Sequence, residues 1–361
     1  MTGLGASLLK LYLPLVIWVG LGVILGHKLS PKVPFYLGKF LFWIGVPISI
    51  TTFMRQADLS GSIWIAPLVA WIAVLMGAGL AGLWIWLRAR GGFSRKKADE
   101  KGARSGLTAL AILRDRPDQP ASTSPPLAAP APSNTSTWSQ PTQGSFLNAA
   151  MYGNTGYLGY PVTLALVGPQ YFGWAVFYDT LGSTLAAYGL GVALSAYFGR
   201  SATRPSSQQQ HPTRLMVQAV VKNPAMWSFW FGLWFRQVAL SKPVEIGLQG
   251  IAWTVIAASL LLLGMRLSQI TSWRNTRRAA VSLGIKMLVV PLIVGIVISL
   301  LGISGPQRLV MILQMGMPPA FATLIIAEAY NLDRELTVTA LALGSIGILF
   351  TIPVWLGLFS S

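Results

Sequence analysis

An all-α polytopic membrane protein is the fold class this sequence predicts, with ten transmembrane helices arranged as two inverted five-helix repeats and broken helices 4 and 9 crossing near the midplane. Three observations predict it. Of 361 residues, 53% are hydrophobic and only 10% are charged, too few charges to clothe a water-soluble domain. Apolar runs such as Leu11 to Gly26 and Ile63 to Leu87 approach or exceed the roughly 20 residues needed to cross the hydrocarbon core. Helix breakers crowd into two of the runs, around Asn154 to Pro161 and Gly316 to Thr323.

Apolar length, Gly/Pro punctuation and charged flanks predict helices over 8–26, 34–54, 63–87, 146–168, 171–198, 215–238, 246–267, 279–301, 308–329 and 336–359. Helices 1 to 3 occupy residues 1–90, helices 4 and 5 residues 145–199, and helices 6 to 10 residues 214–361, with a linker over 200–213. Residues 91–144 open with a basic cluster and become Pro/Ser/Ala/Thr-rich from Pro117 to Pro141, which predicts a disordered cytoplasmic loop. The first apolar segment lacks a small-residue cleavage site and reads as a retained helix.

A net charge of +17 suggests nucleic acid in a soluble protein, but here the basic residues sit mainly in alternate loops. With the N-terminus outside, the inner loops carry Lys28, Lys32, the Arg88 to Arg116 cluster, Arg200, Arg204, Arg214, Arg266, Arg274, Arg277, Arg278 and Arg334. The outer segments carry Lys10, Arg55, Arg236, Lys242 and Arg308. This asymmetry predicts an inner-membrane protein with both termini outside and no nucleic-acid partner. No Cys is present, so disulfides and thiolate metal sites are excluded, and neither a cofactor nor a metal is expected. The tryptophans Trp18, Trp43, Trp64, Trp84, Trp86, Trp234 and Trp355 read as interface belts.

Pro14 and Gly22 are eight residues apart in helix 1, and so are Pro224 and Gly232 in helix 6. Once the 91–144 connection is discounted, Pro161 of helix 4 falls beside Pro318 and Pro319 of helix 9. Five helices per half is odd, so two such halves enter the membrane in opposite directions. That layout places a site near the midplane, where discontinuous helices meet.

Helix 4 concentrates Gly153, Asn154, Gly156, Gly159 and Pro161 within nine residues; helix 9 carries Gly316, Pro318, Pro319 and Thr323. Unpaired peptide groups are costly in hydrocarbon, so such breaks must be buried in protein or line a wet cavity. Half-helix N-termini offer N–H groups and partial positive charge, which suits a carboxylate. Asn154, Thr155 and Thr323 supply side-chain hydrogen bonds. The alternative is a pair of kinked helices in which glycine serves packing alone.

Charged residues within spans are costly unless paired or hydrated. Asp179 in helix 5, Lys286 in helix 8 and Glu328 in helix 9 are the candidates for proton or ion coupling. Asp179 has the alternative of a structural pair with Lys286 or a hydrogen bond to a nearby hydroxyl; Glu328 has that of an interfacial residue. Lys39 and Lys222 read as snorkelling side chains.

NTGYLGYPVTLALVG (Asn154 to Gly168) resembles the signature of the auxin efflux carrier family, the bacterial relatives of plant PIN and PIN-like proteins. KNPAMWSFWFGLW (Lys222 to Trp234), MPPAFATLIIAEAYNLD (Met317 to Asp333) and LALGSIGILFTIPVW (Leu341 to Trp355) resemble the family's helices 6, 9 and 10. The resemblance implies a scaffold of helices 1, 2, 6 and 7, a transport domain of helices 3 to 5 and 8 to 10, and an elevator-type movement. It implies small organic anions as cargo, indole acetate in plant members and dicarboxylates such as malate in some bacterial ones. Asn154 and Pro161 match the family's binding asparagine and crossover proline, and the plant crossover proline of helix 9 aligns nearer Thr323 than Pro318. Two features depart from the pattern. Ala329 stands where members often carry an acid before the tyrosine, and the long loop follows helix 3, not helix 5.

The expected partners are therefore the lipid bilayer, a small organic anion and either H+ or Na+, with a homodimer as a candidate assembly. A sodium-coupled symporter of the bile-acid type is one competing reading; a channel or sensor is another. The Tyr178-Asp179 pair resembles half of an intramembrane aspartyl protease site, but no second intramembrane Asp in a GxGD context accompanies it, so no enzyme is expected.

Overall fold

A computed structural model describes residues 2–114, 138–199, 217–218, 220–269 and 275–360. Helices α1 (Thr2–Lys28), α2 (Lys32–Met54) and α3 (Ile65–Arg114) are followed by two short pieces, α4 (Gln140–Met151) and α5 (155–166). Then come α6 (Pro169–Phe198), α7 (Pro224–Phe235), α8 (Lys242–Leu267) and α9 (Thr276–Leu300). Two further short pieces, α10 (Gly305–Met315) and α11 (Ala322–Ala329), precede α12 (Arg334–Phe359). No strand occurs among the described residues. Among the described residues, six helices are long and apolar enough to cross a membrane: α2, α3 over Ile65–Arg90, α6, α8, α9 and α12.

The predicted fourth and ninth helices divide, as α4 and α5 and as α10 and α11, and the predicted sixth, 215–238, is interrupted at Lys222–Asn223, where Asn223 caps α7 and Pro224 opens it. The predicted disordered connection differs at both ends. Helix α3 continues to Arg114, because its basic stretch retains helix-compatible residues up to the first proline, and α4 begins at Gln140. The Pro/Ser-rich stretch and the 200–213 linker lie outside the described residues, apart from the last residues before α4.

Residues 82–139 form a compact unit of their own, in which the Arg90 guanidinium lies over the Trp86 ring at 3.8 Å and that of Arg88 over Trp138 at 5.5 Å. Within the remaining unit, α1 lies along α8, α7 lies along the second half of α2, and α8 also packs on α2. A second set joins α9 to α12, α4 to α6, α9 and α12, and α10 to α6, α9 and α12. Large apolar side chains such as Trp43, Phe35, Trp227 and Phe350 point outward, as lipid-facing residues do. Trp355 corrects the belt reading: it is buried beside Gly316, because α12 turns that face onto the end of α10.

Glycines set a close contact between α1 and α8. A Cβ on Gly264 would collide with the Val19 carbonyl and Gly22, and one on Gly22 with the Leu261 carbonyl, so the α1 and α8 backbones touch. Gly264→Leu is expected to force them apart at a cost of about 1–3 kcal/mol. A lowered apparent Tm in detergent, against an unchanged Gly247→Ala control in open space, is the readout.

Wide π turns, which admit an extra residue and re-aim the side chains that follow, interrupt α2 at Leu41–Gly45, α6 at Tyr178–Thr184 and Ala187–Gly191, and α9 at Ile285–Val289. Another opens α5 at Thr155–Gly159. The two deeply buried charged residues among those described, Asp179 and Lys286, stand on such turns.

Candidate functional site

The two breaks meet each other directly. After Met151 the chain leaves the helix, and the Asn154 N–H donates to the Pro318 carbonyl at 2.7 Å, while Gly153 and Pro319 form a single antiparallel bridge. Pro318 and Pro319 lack N–H groups and cannot continue α10, so Pro318 can offer its carbonyl sideways. Gly153 permits the approach, since a Cβ there would press on the Met317 carbonyl. Each break thereby satisfies part of the other's open backbone, as burial requires.

Asn154 then starts α5. Its Oδ1 accepts from the Tyr157 N–H at 3.2 Å and its carbonyl accepts from the Gly159 N–H at 3.0 Å, the i to i+5 bond of the π turn. The side chain is half-buried, and its Nδ2 has no partner among the described residues. The N–H groups of Thr155 and Gly156 lie in the first turn, where no helical acceptor exists. The break therefore presents N–H donors and the positive end of a 155–166 helix at one point. Helix α11 differs: the Thr323 and Leu324 N–H groups close tight turns onto Ala320 and Phe321.

Asp179 underpins the turn from below. It is buried, and its carboxylate accepts from the Thr155 hydroxyl, from the Tyr160 hydroxyl at 2.7 Å and from Thr184 at 3.3 Å. Gly156 faces it, with room for no more than ordinary contact. Of the two structural alternatives for Asp179, the hydroxyl partners hold and the pair with Lys286 does not. Lys286 Nζ instead donates to the Met315 carbonyl at 2.8 Å, at the C-terminal end of α10. An acid beside the start of one half-helix and a base at the end of the other are the signs that helix dipoles favour.

Gly159 packs against the fully buried Gln314, whose Nε2 donates to Thr163 Oγ1 at 3.2 Å while its Oε1 has no partner among the described residues. Pro161 is buried in the first turn after the π segment. Gly316 rests on Trp355, and Pro318 and Pro319 rest on Gly344. Asn154, Thr155, Gly156, Gly159, Pro318 and Pro319 thus converge, with Asp179 and Lys286 behind them. The backbone crossing lies at Gly153–Asn154 against Pro318–Pro319, seven residues before Pro161 in the chain. Thr323 is buried one turn on and spends its hydroxyl on the Ala320 carbonyl at 2.7 Å. Glu328 stands apart: its half-exposed carboxylate pairs with Arg334 at 2.7 Å.

Tyr160, Thr163, Gln314 and Arg266 belong to the surroundings and were not among the candidates. Gln314 alone carried a signal, as an amide within the apolar run VMILQM. Arg266, counted as a loop residue, lies in the last turn of α8 with its guanidinium 3.5 Å from the centre of the Phe321 ring.

The membrane transport protein family matches residues 138–356. An uncharacterised transporter of Methanothermobacter thermautotrophicus is 23% identical over 322 residues, covering 88% of this chain and 87% of the relative. A second, from Methanocaldococcus jannaschii, is 23% identical over 212 residues, covering 59% of this chain and 67% of the relative. The matched segment contains both breaks and every residue of the crossing, and the chain belongs to the membrane transport protein family, the auxin efflux carrier family that its motifs resemble.

Proposed function

We propose that the chain is a secondary transporter of small organic anions, working by elevator-type alternating access in the inner membrane with both termini outside. The observation that carries the reading is the direct backbone contact of two broken segments, Asn154 N–H to Pro318 carbonyl, with a half-helix N-terminus opening from it. In this reading α4 with α5 and α10 with α11 are the fourth and ninth of ten spans, related as inverted repeats. Helices α1, α2, α7 and α8 are the fixed scaffold, and the packing of α1 on α8 and of α7 and α8 on α2 supports that grouping. The anion's carboxylate takes the N–H groups of Thr155 and Gly156 and the Asn154 amide. Asp179 is the candidate coupling group, since its hydroxyl-lined seat lies one side chain behind the turn.

Proteoliposomes test this. Vesicles loaded with unlabelled malate, succinate or indole acetate are expected to accumulate the labelled species by exchange, with saturation. Flux that rises linearly with concentration and ignores the loaded species would make the protein a channel. Uptake that requires Na+ would assign the coupling ion to the symporter alternative.

A further inference from the structure

Several cationic side chains at the helix ends and within the bundle spend their donors on the protein. Arg55 donates to the Phe235 and Val238 carbonyls, Arg236 to Ala57, Arg308 to Phe359 and Lys286 to Met315. Arg266 does not. It is half-buried, and among the described residues it has neither an ion-pair partner nor a hydrogen-bond acceptor for its N–H groups. Its guanidinium lies instead against the Phe321 ring, 3.5 Å from the centroid.

That geometry has a consequence for binding. A guanidinium stacked on a ring uses one face, while its five N–H donors lie in the plane and stay available to a planar, two-pronged acceptor. A cation needed only to complement the end of α8 would turn back onto the last carbonyls. Arg266 turns across to the break between α10 and α11. Gly38 of α2 makes the room, because a Cβ there would meet Nη2 of Arg266. Tyr157, capped by Asn154, packs on the Leu41, Val255 and Leu262 cluster of α2 and α8, and its hydroxyl lies 3.5 Å from the Gly38 carbonyl. Arg266 thus stands where the scaffold helices meet both breaks.

We propose that Arg266 is a second anion contact, a two-pronged cation that takes a carboxylate of the cargo from the scaffold side, with Phe321 holding the guanidinium flat. The proposal rests on the reading of the crossing as the substrate site. It favours anions with a planar carboxylate on a body that tolerates aromatic neighbours, here Tyr157 and Phe321.

Binding of benzoate and succinate to the purified full-length protein, with benzamide as the uncharged control, provides the test. Arg266→Gln is expected to weaken carboxylate binding at least tenfold with the unliganded Tm unchanged, and to leave the benzamide response as it was. Arg266→Lys, which keeps the charge and loses the fork, is expected to fall between the two and covers the case in which the Gln variant fails to fold. Carboxylate affinity unchanged in both variants, with binding lost in Asn154→Ala, would overturn the role of Arg266 and leave the crossing in place. No carboxylate binding to the unmodified protein would overturn both.

Discussion

Asp179→Ala is expected to abolish transport and destabilise the fold together, because one carboxylate organises three hydroxyls behind the break. Thr155, Tyr160 and Thr184 all donate to it in a buried setting. A buried donor stranded without a partner costs about 1–3 kcal/mol, and rotating hydroxyls recover part of that. Removing a buried charge also relieves some desolvation, which offsets the loss further. A net destabilisation of about 3 kcal/mol remains, on the order of 6 °C in apparent Tm for a chain of this size. The larger effect is geometric. Thr155 opens the π turn that aims the first N–H groups, and a misplacement of about 1 Å at a binding centre costs roughly a hundredfold in rate. Asp179→Asn keeps an acceptor and is expected to retain most of the stability. If Asp179 also carries the coupling proton, the Asn variant loses the pH dependence of flux, which separates the two roles. An Ala variant with unchanged Tm and flux would remove Asp179 from the account.

Lys286→Glu is expected to be the most disruptive single charge change. It places a carboxylate against the Met315 carbonyl, at the negative end of α10, in a site that is 2% exposed. An unpaired buried charge costs about 3–5 kcal/mol, enough to prevent stable expression of a marginal membrane protein. Lys286→Met should behave differently. It keeps the volume and removes the desolvation cost, at the expense of one charge-assisted hydrogen bond of about 1.5–3 kcal/mol. Stability is therefore expected to hold or rise while flux falls, since the end of α10 loses the donor that fixes it beside the crossing. Thermal unfolding and flux measured on the same two preparations decide this; a Met variant that transports normally would leave Lys286 a structural residue only.

The legible part of this protein was the part written in local composition. Apolar length located the spans 34–54, 171–198, 246–267, 279–301 and 336–359 to within a few residues, whereas the third helix runs on to Arg114 and the sixth is interrupted at Asn223. The crowding of Gly153, Asn154, Gly156, Gly159 and Pro161, like that of Gly316, Pro318 and Pro319, predicted where two helices divide. Such signals are local because an absent N–H or Cβ acts on its own turn. Long-range partners left no comparable mark. That Asp179 would face Thr155 and Tyr160, or Lys286 the Met315 carbonyl, depends on π turns that re-aim those side chains, and no residue pattern announces an i to i+5 bond. Thr323 looked like a ligand by type but satisfies its own turn, which only the backbone geometry around Ala320 decides. Arg266 was misread for the opposite reason. The positive-inside pattern explained it so completely that its reach across to Phe321 was invisible. Trp355 likewise fitted an aromatic belt until α12 placed it under Gly316.

The most direct test of the crossing as the working site is exchange flux in proteoliposomes for Asn154→Ala and Pro161→Ala beside the unmodified protein, each confirmed as folded by its elution profile and Tm. Carboxylate exchange is expected to be lost in both variants with Tm held; unchanged exchange in both would place the working site elsewhere than the crossing.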